Sequence, residues 1–116
     1  MASLSIITRS SSAGAVIELA GDLDYASVPG FRESVIYLSL AQGEQLTLEL
    51  AGLAYCDSTG ITALIAAHDL ALERGAQMIL AAVPDGIARI LSITGLDELF
   101  SLREDSSPSA SRAAAS

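Results

Sequence analysis

The stretch Tyr55-Cys56-Asp57-Ser58-Thr59-Gly60-Ile61-Thr62 decides how this chain is read. Before it, Leu46, Leu48 and Leu50 alternate with Thr47 and Glu49, the pattern of a strand with one apolar face and one wetter face. After it, Ile61, Leu64, Ile65, His68 and Leu72 fall at helical spacing. That helix runs to about Arg74, with Gly75 as its C-cap. A strand passing directly into a helix is the repeating unit of an α/β sheet. The junction holds more small and polar residues than one helix cap requires. It reads as a cap, a catalytic nucleophile or a switch.

The same alternation extends in both directions. Leu4 to Thr8 reads as a short strand, Ser10 to Gly14 as a turn, and Ala15 to Ala20 as a second strand that pairs antiparallel with the first. Gly21-Asp22-Leu23-Asp24 breaks that strand. Val28, Phe31, Val35 and Leu38 then mark a helix from about Ser27 to Leu40, with Ser27 as N-cap and Pro29 in the first turn. Downstream, Gln77 to Ala82 reads as a strand. Pro84 and Asp85 start a helix carrying Ile87, Ile90 and Leu91 that stops at Gly95, and Leu99 to Arg103 is a last strand. The order β-β-α-β-α-β-α-β predicts a small single-domain α/β fold with a mixed, mostly parallel sheet and right-handed crossovers. The wetter face of the Leu46–Leu50 strand places the helices mainly on one face. This domain takes residues 1–103, and residues 104–116 contain no large apolar residue and read as a disordered Ser/Ala-rich tail.

Composition bounds the function. A chain of 116 residues fits one domain with one core. It is 51% hydrophobic and only 4% aromatic, so the core is built from Leu, Ile, Val and Ala. The net charge is −8, from 14 acids against 6 bases, and every base is Arg. An acidic surface without Lys argues against nucleic acid and anionic membrane, and fits a protein partner with a basic patch. The single Cys56 excludes an internal disulfide, which fits a cytoplasmic protein. The N-terminus lacks the basic and long apolar regions of a secretory signal, and no apolar stretch approaches the ~20 residues of a membrane span.

Four chemistries compete for Ser58. A hydrolase needs a base within about 3 Å of the nucleophile. The single histidine, His68, is ten residues along the same helix, about 15 Å away at ~1.5 Å per residue. It reads instead as a half-buried residue at the edge of an apolar stripe. A phosphate-binding loop needs a Gly-rich turn and a Lys, and the chain has no Lys. One Cys and one His do not make a structural zinc site, and Cys56 reads as a small, partly buried thiol. Asp22, Asp24 and Asp57 at strand C-termini have the chemistry of a magnesium-bound phospho-aspartate receiver, yet that class relies on a Lys absent here. A phosphorylation switch is the fourth. Ser58 stands at a helix N-terminus, where a phosphate is tolerated, beside a Gly60 whose missing Cβ lets another protein's active site approach. On spacing alone, Asp57 or Ser58 acting only as a cap stays open beside it.

Three motifs bear on the choice. Asp57-Ser58-Thr59-Gly60-Ile61 resembles the D-S-[S/T]-G-[I/L/V] signature of STAS domains, in particular the bacterial anti-sigma factor antagonists. Gly21-Asp22-Leu23-Asp24 resembles their G-x-L-D segment, and Ile90 to Asp97 with Phe100 resembles their L-x-x-[T/S]-G-L-x-x-x-F ending. The resemblance implies a non-enzymatic switch on a small α/β domain with helices on one side. It implies phosphorylation of Ser58 by an anti-sigma factor that is also a serine kinase, binding of that factor when Ser58 is unmodified, and resetting by a PP2C-type serine phosphatase. The expected partner-binding residues are Asp22, Asp24, Asp57, Ser58, Thr59 and Gly60, with no cofactor and no metal, and Asp24 is expected to serve binding rather than folding. STAS domains also serve in larger assemblies. The alternative is therefore a subunit of a stressosome-like scaffold or lipid-transport complex in which Ser58 is structural.

Overall fold

Leu46, Leu48 and Leu50 point to one side of a central strand and are fully buried. The computed structural model describes residues 3–103. That strand, β3 (Gln45–Cys56), lies in a five-stranded sheet with β1 (Ser5–Ser11), β2 (Gly14–Leu23), β4 (Gln77–Ala81) and β5 (Ser101–Arg103). The strands lie side by side in chain order. The β1–β2 hairpin is antiparallel, and every later neighbour is parallel. Three helices make the parallel connections: α1 (Val28–Ile36), α2 (Ser58–Glu73) and α3 (Asp85–Ile93), the last followed by a 3-10 turn at Leu96–Glu98. A sheet that grows in one direction by right-handed crossovers must carry all its helices on one face. The mixed, mostly parallel α/β architecture read from the sequence is therefore the one observed.

The core lies between that face and the helices. Ala15, Ile17 and Leu19 of β2, the three leucines of β3, and Met78 and Leu80 of β4 meet Phe31 and Val35 of α1 and Ala63, Leu64 and Ala67 of α2. Burying a Leu or Ile side chain stabilises by about 1.5–3 kcal/mol, so these aliphatic contacts stand in for aromatic ones. The opposite face is less wet than the alternation predicts. Thr47 pairs in register with Val16 and Ile79 and is only 1% exposed. Glu18 and Glu49 stand directly opposite each other, a like-charge pair that would repel. Arg9 on β1 bridges both, at 2.8 and 3.5 Å.

Several boundaries move. The helix expected to reach Leu40 ends at Ile36. Arg74, at the far end of α2, donates to the carbonyls of Ile36 (2.8 Å) and Leu38 (3.0 Å), holding the chain end that the helix would otherwise continue. A cation at a helix C-terminus is favoured by the dipole as well. β3 runs six residues past Leu50, to Cys56, because a lengthened β2 pairs with it as far as Leu23. Ser27 occupies the N-cap position of α1, but its side chain makes no capping bond into the helix. The tail expected at residues 104–116 lies outside the described residues.

Candidate functional site

All three parallel connections leave the sheet at the same edge, the C-terminal ends of β2, β3 and β4, where open α/β sheets present their ligand sites. In register, Asp22 faces Tyr55 and Leu23 faces Cys56. The N–H of Asp57 then donates to the carbonyl of Leu23 at 3.3 Å, which ties the strand-to-helix junction to the end of β2. The two sequence-predicted segments, Asp22–Asp24 and Asp57–Gly60, are thereby brought side by side.

Asp57, not Ser58, is the N-cap of α2. Its Oδ1 accepts from the Gly60 N–H at 2.9 Å, and its carbonyl accepts from the Ile61 N–H at 3.0 Å. Ser58 is left as the first helical residue. It is exposed, and its hydroxyl has no hydrogen-bond partner among the described residues. Thr62 uses its hydroxyl to bond back to the Ser58 carbonyl at 2.9 Å, so it is engaged although exposed. Thr59 is half-buried. Of three neighbouring hydroxyls, Ser58 presents the freest oxygen.

Gly60 faces inward. It is buried, and a Cβ there would stand 2.4 Å from the Leu23 carbonyl oxygen and 2.8 Å from the Cys56 sulfur. The close approach that the missing side chain permits is made by this chain's own β2 and β3, not by a visitor from solvent. Cys56 closes the same contact. Burial, and secondarily the charge of Asp57, push its thiol up to about 11 from 9.0, so it stays protonated at neutral pH and packs as a small apolar group. Its S–H points to the Asp57 carbonyl at 3.8 Å.

Asp24 and Ser27 build a reciprocal turn that sequence reasoning missed. Asp24 Oδ1 accepts from the Ser27 N–H at 3.0 Å, and the Asp24 N–H donates to Ser27 Oγ at 2.9 Å. The Ser27 hydroxyl in turn donates to the Asp22 carbonyl at 2.8 Å. Asp24 thus has a folding role, contrary to the expectation that it serves binding alone. A signal for it exists in the sequence, since Asp followed three residues later by Ser is turn chemistry. Beside this turn, a cleft of about 400 Å³ is lined by Leu4, Ile6, Asp22, Asp24 and Gly30. His68 sits away from the junction, packed edge-to-face on Phe100 with ring centres 5.7 Å apart. That matches the half-buried boundary role read from its stripe. Among the described residues, no group of three His, Cys, Asp or Glu side chains is placed to hold a metal ion, and no helix is long and apolar enough to cross a membrane.

Residues 5–108 match the family model of the STAS domain. Among curated proteins, the anti-sigma-B factor antagonist of Bacillus subtilis (strain 168) is 28% identical over 86 residues, 74% of this chain and 78% of that protein. That of Listeria monocytogenes is 26% identical over 87 residues, 75% of this chain and 76% of that protein. Among solved structures, an anti-sigma-factor antagonist (STAS) domain protein from Planctomyces limnophilus superposes with a TM-score of 0.77 at 19% identity, over 96% of this chain and 98% of that one.

Two measurements check the junction. Gly60→Ala forces a methyl group into the Leu23 carbonyl and should cost about 3 kcal/mol, lowering the thermal midpoint by roughly 10 °C. A melt within 2–3 °C of the parent, roughly the size of a neutral surface change, would show that α2 does not need this seat. Cys56 supplies the second. Because folding raises its pKa, the folded state holds the thiol proton more tightly. The stability this contributes is complete below about pH 9 and is lost as the pH rises through about 11. At pH 8, iodoacetamide should alkylate the native protein roughly 100-fold more slowly than the urea-unfolded chain, following the difference in thiolate population. Equal rates would contradict the burial.

Proposed function

This chain belongs to the STAS domain family, and on that premise we propose that it is an anti-sigma factor antagonist. Its partner is an anti-sigma factor with serine kinase activity, which it binds when Ser58 is unmodified and so displaces from a sigma factor. Phosphorylation of Ser58 by that kinase ends the binding, and a PP2C-type serine phosphatase restores it. The role is to bind, and the site of action is the cytoplasm. One observation carries the reading. Asp57 takes over the capping bond of α2, and this leaves the Ser58 hydroxyl exposed and, among the described residues, unbonded at the edge that also carries Asp22, Asp24 and Asp57.

The energetics favour a charge gate. A phosphoryl group adds about −1.5 to −2 charge at pH 7. On Ser58 it stands next to Asp57, in a protein of net charge −8. Docking a partner over it strips water from two adjacent anions. A penalty of only about 3 kcal/mol weakens binding by ~100-fold. The fold is spared, because the N-terminal end of α2 favours negative charge. The hydroxyl also holds no structural bond that phosphorylation would break. Asp22, Asp24 and Thr59 complete the contact surface as its rim, while Gly60 contributes by seating the helix.

Ser58→Ala should bind the anti-sigma factor as tightly as the parent, since it removes no hydrogen bond. Ser58→Asp should bind about 10-fold more weakly, a partial effect because a carboxylate carries less charge than a phosphate. Titration calorimetry of both variants at one fixed salt concentration, with circular dichroism to show that each is folded, makes the comparison. Equal affinities would mean that charge at this junction does not gate binding, and would favour a permanent subunit of a larger assembly.

A further inference from the structure

On the β4 side of Ser58 the surface changes character. An open groove of about 300 Å³ lies between the end of β3 and the start of α3, lined by Leu53, Tyr55, Cys56, Pro84, Ile87 and Ile90 among others. Ile87 and Ile90, three residues apart on α3, are 5% and 39% exposed. They form an apolar ridge that begins in the core and climbs into solvent. Tyr55, 53% exposed, forms the other wall. None of these exposed side chains is needed to close the core cluster, which already holds Leu53, Cys56, Ile87 and Leu91.

The geometry points to this groove as the affinity-bearing half of the partner surface: it takes an apolar side chain from the same anti-sigma factor whose kinase site reaches Ser58. The inference rests on the function proposed above and adds where the binding free energy resides. Continuity supports it. Cys56 lines the groove and lies two residues before Ser58, so the groove adjoins the junction that carries the hydroxyl. The needs of an interface support it as well. Specific interfaces bury about 800 Å² per partner around a desolvated apolar centre, and aromatic anchors dominate their energy. At the acidic turn Tyr25 is 80% exposed but does not line the adjacent cleft, whereas Tyr55 shares one groove with Ile87 and Ile90. Charge then describes the partner. Asp57 follows the groove residue Cys56, and Asp85 stands between Pro84 and Gly86, with Arg89 one turn along α3. On a chain of net charge −8, the matching surface is an apolar side chain flanked by Arg or Lys. The labour is divided: the groove holds, and Ser58 releases.

The test is titration calorimetry with a purified anti-sigma factor serine kinase from the same organism, using unphosphorylated protein. Tyr55→Ala and Ile90→Asp, both at groove residues, should each weaken binding at least 10-fold. Tyr37→Ala, whose ring is 81% exposed at the C-terminus of α1 and so at the opposite end of the sheet, should bind as the parent does. Ile90 is 39% exposed and lies outside the core cluster, so Ile90→Asp should keep the circular dichroism of the parent, which keeps the test independent of folding. Parent binding with Tyr55→Ala and Ile90→Asp unaffected would overturn this inference and leave the proposed function standing. An equal loss in Tyr37→Ala would also overturn it, because the effect would then not belong to the groove. A parent that does not bind the kinase would overturn both readings.

Discussion

The first turn of α2 rests directly on the carbonyl of Leu23, and only a residue without a Cβ can stand there. Much else follows from that contact. It fixes the depth at which the helix meets the sheet, and so where Ala63, Leu64 and Ala67 enter the core. It holds the Asp57 N–H within reach of the same carbonyl, joining the ends of β2 and β3. With the backbone pinned, the Asp57 carboxylate closes on the Gly60 N–H and completes the cap. Ser58 then has no capping work left and projects from the rigid edge. The exposure of one hydroxyl is thus a consequence of tight packing beneath it.

The proposed switch separates stability from regulation. The groups that hold the junction are backbone N–H and C=O, one carboxylate, a glycine and a neutral thiol. Ser58, the proposed phosphorylation site, is none of these. Rigid scaffolds that carry their reactive group on a loop or helix end commonly divide tasks in this manner. The acidic surroundings act in the same direction. Asp22, Asp24 and Asp57 already stand at the same edge, so an added phosphate meets like charge without rearrangement of the chain.

Much of this is legible in the sequence because local pattern and tertiary role agree. The alternation at Leu46–Leu50 marks the central strand, and Gly75 and Gly95 mark the ends of α2 and α3. What is not legible depends on residues distant in the chain. The extension of β3 through Ala51–Cys56 has little strand propensity of its own and is imposed by pairing with β2. The early end of α1 is set by Arg74, which reaches back to Ile36 and Leu38. At the site, Asp57 and Ser58 are equally good caps by residue type, and only the fold decides between them. Gly60 is legible as a place of close approach, but not as to which chain approaches. Ser27 has the residue type of a helix cap, yet its N–H is claimed by the Asp24 carboxylate of the preceding turn.

Phosphorylation, in this picture, adds charge to a junction whose structure does not change. Amide-resolved NMR of the unmodified and Ser58-phosphorylated protein distinguishes that from a local refolding. Shifts should be confined to residues 57–62 and the adjoining 22–24 turn, with the Gly60 amide still protected from exchange by its bond to Asp57. Shifts spread through α1 and α3, or loss of protection at Gly60, would mean that the phosphate acts by refolding the helix start, and a charge gate on a fixed scaffold would be the wrong description.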